Sequence, residues 1–136
     1  MTLSLDERNN LVKIAIQARS RAYAPYSNYQ VGAAVLTKSG KVFTGANIEN
    51  AAYPTTMCAE RVAIFKAVSE GETDFSAIAV VTSNAGMSCG GCRQVMAEFG
   101  LDTLVLVADD QGRIAQEVTV RDLLPGAFTP KDLPRV

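Results

Sequence analysis

Apolar residues recur at helical spacing near the start of the chain, with Leu11, Ile14, Ala15, Ala18 and Ala22 on one face. Ser4 and Glu7 stand three apart just ahead of them, the spacing of a capping box, so the pattern predicts an amphipathic helix over residues 5–22 with Pro25 as its stop. Two β-type runs follow, residues 30–37 and 41–48, and the Ser39-Gly40 pair between them predicts an antiparallel hairpin. After a polar loop over 49–56, a helical pattern covers 58–70, with Val62, Ile64, Phe65 and Val68 apolar and Gly71 as its stop. The remainder reads as strand 77–82, helix 90–99, strand 104–108 and strand 113–118, the last after an Asp110-Gln111-Gly112 turn. A short helix over 121–124 and an ordered tail carrying Phe128 close the chain. Strands alternating with helices imply a layered α/β domain whose apolar sheet is covered on both faces.

The chain has 136 residues, enough for one continuous core and too few for two, and it shows no repeat or linker. Residues 1–136 are therefore read as a single domain. Thirteen basic and fourteen acidic residues give a formal charge of -1, and no Lys/Arg run forms the stripe that a phosphate backbone requires, which argues against a nucleic-acid partner. The longest apolar runs fall far short of the roughly 20 residues that span a bilayer, so no membrane partner is expected. The first residues lack the basic-then-apolar plan of a secretion signal, and a cytoplasmic location is expected.

The chemistry concentrates in three cysteines, an odd number that does not suit a disulfide framework. Cys58 opens one predicted helix, and Cys89 and Cys92 open the next as Cys-Gly-Gly-Cys. A helix N-terminus carries partial positive charge and free N–H groups, which favour thiolate over thiol. The intervening glycines should let both sulfurs turn toward one ion. Structural zinc takes four Cys or His ligands, yet the chain has no histidine, so three thiolates would leave one coordination position open, as catalytic zinc does. Taken singly the features are ordinary: Cys-x-x-Cys also serves as a redox dithiol, a lone Cys58 also fits a core, and Glu60 in a first turn also serves as a dipole partner.

Together with Glu60 in Cys58-Ala59-Glu60-Arg61, these residues resemble the small homotetrameric cytidine deaminases. Further blocks carry the resemblance along essentially the whole chain: Tyr23-Ala24-Pro25-Tyr26-Ser27, Val31-Gly32-Ala33-Ala34, Gly45 to Ala51, Cys89-Gly90-Gly91-Cys92-Arg93-Gln94-Val95, and Leu123 to Phe128. The resemblance implies a three-layer α/β/α sandwich around a five-stranded mixed sheet, and a homotetramer with shared active sites. It implies one Zn²⁺ per subunit on Cys58, Cys89 and Cys92, with Glu60 shuttling protons while zinc-activated hydroxide attacks C4 of a free nucleoside. Three thiolates on Zn²⁺ sum to -1, so Arg61, and less directly Arg93, should withdraw charge from the sulfurs. Asn47 and Glu49 match the family pair that binds the ribose hydroxyls, and the Ala59 N–H should read the pyrimidine. Ala51, Tyr53 and Phe128 match positions that reach a neighbouring subunit's site. The implied role is pyrimidine salvage.

Two residues depart from the family pattern. Tyr29 stands where Phe is usual, adding a hydroxyl that needs a partner. Ser88 stands where Pro is usual before Cys89, which suggests a roomier leaving-group pocket that accepts N4-substituted cytidines. Three other readings stay open at this stage: a deaminase of another aminopyrimidine of the blasticidin S type, a Cys-x-x-Cys redox module, and a polynucleotide-editing deaminase.

Overall fold

A computed structural model describes residues 3–134. Its elements are α1 (Leu5–Arg19), β1 (Gly32–Thr37), β2 (Val42–Ala46), α2 (Ala59–Ser69), β3 (Phe75–Thr82), α3 (Gly90–Phe99), β4 (Leu104–Asp109), β5 (Ile114–Thr119) and α4 (Val120–Leu123), with short 3-10 turns at Tyr53–Thr55 and Pro130–Asp132. The strands form one sheet in the order β2-β1-β3-β4-β5. The β3–β4 pair is parallel and the other three pairs are antiparallel, which makes the sheet mixed.

The single continuous core expected from the length is instead divided by the sheet, because side-chain alternation along the strands sends apolar residues to both of its faces. Ala34, Ala77, Ala79, Val81, Leu106 and Ala108 face Leu11, Val12 and Ala15 of α1. The alternate positions Ala33, Val35, Ile78, Val80, Val105 and Val107 face Ala63 and Ile64 of α2 and Met96 of α3. Helix, sheet and helix make the three layers. Where a helix lies tightest on the sheet, the strand carries glycine: a Cβ on Gly32 would strike the Ala15 carbonyl, and one on Gly45 would strike the Ala59 carbonyl of α2.

The capping box forms, Ser4 Oγ accepting from the Glu7 N–H at 3.1 Å and Glu7 accepting from the Ser4 N–H at 2.9 Å. The helix nevertheless ends at Arg19, short of Ala22, because the Tyr23 backbone is drawn into a bridge with Ile48: its N–H donates to Asn47 and its carbonyl accepts from Glu49. Strand β1 begins at Gly32, two residues later than the pattern suggests. The Gln30 carbonyl accepts from Arg19 Nε and the Val31 N–H donates to Asn47 Oδ1, so neither group is free for that ladder. Gly71, with φ of 87°, does end α2: its N–H reaches the Val68 carbonyl and the Glu72 N–H reaches Ala67, a Schellman closure.

Candidate active site

The chain runs into α2 and α3 from the same end of the sheet, where β2 and β3 finish and β1 begins. Cys58 is the N-cap of α2 and Cys89 the N-cap of α3, both extended and neither using its side chain to cap. Cys92 sits in the first turn of α3 and is buried. The three sulfurs lie within 4.8 Å of one another, Cys58 and Cys89 at 3.9 Å. Neither intervening glycine has the left-handed backbone that only glycine adopts easily, and Gly90 has open space where a Cβ would be. The cluster therefore comes from the helix start itself and not from glycine flexibility.

A tetrahedral ion with Zn–S bonds of about 2.3 Å spaces its sulfurs about 3.8 Å apart, so the cluster fits zinc. Its electrostatics ask for a cation. Cys58 is brought down to about 5, first by the Cys92 thiol hydrogen-bonding to it and then by Arg61, against the opposing effect of burial. Cys92 is pushed up because its proton is held on Cys58, with burial and the nearby Glu60 charge adding to the effect. The pair thus favours a thiolate on Cys58 while Cys92 keeps its proton. Two helix N-termini point their free N–H groups toward the sulfurs. Arg61 adds a charged hydrogen bond, donating from Nη2 to Cys58 Sγ at 3.4 Å, while its Nε is buried without a partner. Arg93 takes a different place: it donates from Nε to the Ser88 carbonyl at 2.9 Å and from Nη1 to the Leu123 carbonyl at 3.0 Å, tying α3 to the end of α4.

Glu60, in the first turn of α2, is the one buried charged residue among those described, 4% exposed. Burial raises its carboxyl above the usual carboxylate range, opposed by its own backbone N–H and by the Ser88 hydroxyl. Ser88 Oγ is itself buried and stops short of hydrogen-bond geometry, so it is left without a partner.

A cleft of about 280 Å³ opens beside the sulfurs, lined by Cys58, Ala59, Glu60 and Cys89 on one side and by Tyr29, Asn47 and Glu49 on the other. Asn47 is braced: Oδ1 accepts from the Val31 N–H at 2.9 Å and Nδ2 donates to the Tyr29 carbonyl at 2.8 Å. Glu49 binds the same loop, Oε1 accepting from the N–H groups of Tyr26 and Ser27 and Oε2 from the Ser27 hydroxyl. These bonds hold its carboxyl below the usual range, the Ser27 hydroxyl foremost. The extra hydroxyl of Tyr29 finds its partner in Asn84, donating to Oδ1 at 2.7 Å.

Ala51, Tyr53 and Phe128 lie outside the cleft of their own chain and are exposed, Tyr53 by 71% and Phe128 by 55%. Tyr53 packs edge-on against Tyr26 at 5.9 Å, and the Phe128 carbonyl accepts from Gln94. The sequence reading missed Ser27, Thr82, Asn84, Gly86 and Met87. Ser27 lies within a recognised motif, whereas Asn84-Ala85-Gly86 reads only as a turn.

The family model described as the cytidine and deoxycytidylate deaminase zinc-binding region matches residues 5–108. A cytidine deaminase of Halalkalibacterium halodurans is 58% identical, covering 93% of this chain and 98% of its own, and one of Sporosarcina psychrophila is 47% identical over 90% and 92%. The crystal structure of a cytidine deaminase from Burkholderia pseudomallei superposes with a TM-score of 0.85 at 45% identity, covering 93% of this chain and all of its own. With the three-sulfur cluster in place beneath the cleft, the chain belongs to the cytidine and deoxycytidylate deaminase zinc-binding family.

Proposed function

We propose that the protein hydrolyses free cytidine and deoxycytidine to uridine and deoxyuridine with release of ammonia. The observation that carries this reading is a buried carboxyl, Glu60, set beside three clustered sulfurs at the floor of a cleft of nucleoside size. Cys58, Cys89 and Cys92 hold the zinc, and when bound it supplies a Lewis acid that lowers the pKa of water toward neutrality. The Glu60 carboxylate would take one proton from the attacking water and give it to N3, then take the second from the new C4 hydroxyl and give it to the amine, which leaves as ammonia as the C4 carbonyl forms. The Ala59 N–H, at the free start of α2, reads the pyrimidine edge, and Tyr29 supplies an aromatic wall.

Asn47 and Glu49 keep capacity beyond their bonds to the loop, namely the second Nδ2 hydrogen and the unused lone pairs of Oε2. These receive the ribose hydroxyls, and the Glu49 charge repels a nucleotide phosphate. We place Ala51, Tyr53 and Phe128 at a neighbouring subunit's cleft in a homotetramer, a reading supported by their exposure. Pyrimidine salvage in the cytoplasm is the setting proposed.

Incubation with cytidine, in parallel with Glu60→Ala, tests the core of the proposal. Turnover by the wild type and none by a variant that keeps its zinc supports both reaction and shuttle; no turnover by zinc-loaded wild type refutes it. Light scattering in solution tests the tetramer. The unpartnered Ser88 hydroxyl near Glu60 supports a leaving-group pocket that tolerates N4 substituents. Comparable rates of wild type and Ser88→Pro on N4-methylcytidine, each relative to cytidine, would refute that tolerance.

A further inference from the structure

Two loops face each other across the rim of the cleft. Residues 26–31 lead into β1 and are braced by Asn47 and Glu49. Residues 83–88 leave β3 and deliver Cys89 to the cluster. The second loop is held through side chains: Gly86 N–H donates to Thr82 Oγ1 at 2.7 Å, Thr82 Oγ1 donates to Asn84 Oδ1 at 3.2 Å, and Arg93 holds the Ser88 carbonyl. Ala85 sits at φ of 56°, an unfavourable conformation for a residue with a Cβ, so the loop depends on such restraints. The two loops are joined where Tyr29 Oη donates to Asn84 Oδ1 at 2.7 Å. Gly86 is fitted to this join, since a Cβ there would run into the Tyr29 hydroxyl.

We propose that the Tyr29–Asn84 bond is a latch across the cleft, with Asn84 a positioning residue that acts through Tyr29. The latch fixes the aromatic wall that meets the nucleoside and, at its other end, the loop that sets Cys89 against the metal. Nucleoside affinity and zinc retention therefore depend on the same bond. Only the first half of that statement rests on the deaminase reading above.

The test is a double-mutant cycle on the zinc-loaded protein with Tyr29→Phe and Asn84→Ala, read in two ways. The first reading is KM and kcat for cytidine; the second is the rate of zinc release to a chromogenic chelator, which needs no substrate. Loss of this neutral hydrogen bond should raise KM and speed zinc release by about 3–10-fold in Tyr29→Phe, and by at least as much in Asn84→Ala, which also removes the acceptor of Thr82 Oγ1, with kcat within about twofold of wild type. The double variant should match Asn84→Ala alone instead of multiplying the two effects. Asn84→Asp keeps an oxygen that accepts from both Tyr29 and Thr82 and should stay close to wild type. Gly86→Ala should be impaired, and adding Tyr29→Phe should relieve it by removing the obstructing hydroxyl.

Multiplicative effects in the double variant, or zinc release unchanged in both singles, would overturn the latch. If zinc-loaded wild type does not turn over cytidine, the substrate reading fails, and the zinc-release cycle alone still decides the latch.

Discussion

Truncating Asn47 to alanine removes a side chain that is 8% exposed and bonded twice to the 26–31 loop. The Val31 N–H loses its acceptor in a partly buried setting, and the Tyr29 carbonyl, nearer the surface, loses its donor. An orphaned buried group costs about 1–3 kcal/mol and one that water can reach less, so the folded state should lose about 2–4 kcal/mol. At about 3 °C per kcal/mol for a chain of this size, the unfolding midpoint should drop by about 6–12 °C. Denaturant titrations at one protein concentration with the zinc bound would measure it, alongside KM for cytidine. Asn47→Asp keeps the acceptor for Val31 but sets a carboxylate oxygen against the Tyr29 carbonyl in a buried setting, so it should recover little of the lost stability. If Asn47→Ala unfolds within about 0.5 kcal/mol of wild type while KM still rises, the side chain serves the ligand alone and the brace is refuted.

Gly45→Ala should cost at least about 1–3 kcal/mol, because its Cβ would meet the Ala59 carbonyl and lie 2.6 Å from the Ala63 nitrogen. Zinc content should fall with it as the start of α2 is pushed off the sheet; thermal unfolding and metal analysis check both. Arg61→Met should weaken zinc binding by about 10–100-fold, measured by competition with a chelator, because a charged donor to Cys58 is lost. Glu49 has a lower pKa folded than unfolded, so its contribution to stability is present above its ordinary value and fades as pH falls through the lowered one. Glu49→Gln should flatten the acid limb of a stability–pH curve relative to wild type, and an unchanged slope would contradict the Ser27 contact.

Local pattern located nearly every element because the apolar runs, the helical spacing and the stop signals agree with the final packing, although α2 and α3 start at Cys58 and Cys89 without a side-chain cap. Gly90–Phe99 matches its predicted bounds, and Ser4, Glu7 and Gly71 do what their positions suggest. The strand order was not legible, since the parallel β3–β4 pair and the antiparallel β1–β3 pair depend on which faces the helices cover. The sulfur cluster was legible because its chemistry is carried by rare residue types at helix starts. The second demand on Asn47 and Glu49 was not, because the atoms they bind are backbone groups of a loop, and backbone groups leave no trace in composition. Asn84 escaped for a similar reason: an asparagine beside a glycine looks like turn chemistry whatever its side chain holds.

Two helices begin at the sulfurs and run away from them, so much of the positive potential there belongs to peptide groups that every residue possesses. Such a field survives most side-chain drift, because it belongs to the backbone. The site's weak points in evolution should then lie at places that fix where the helices start, such as Gly45, remote from the chemistry and without any reactive group of its own. Over generations, the reaction is guarded there by a residue whose only property is to be small.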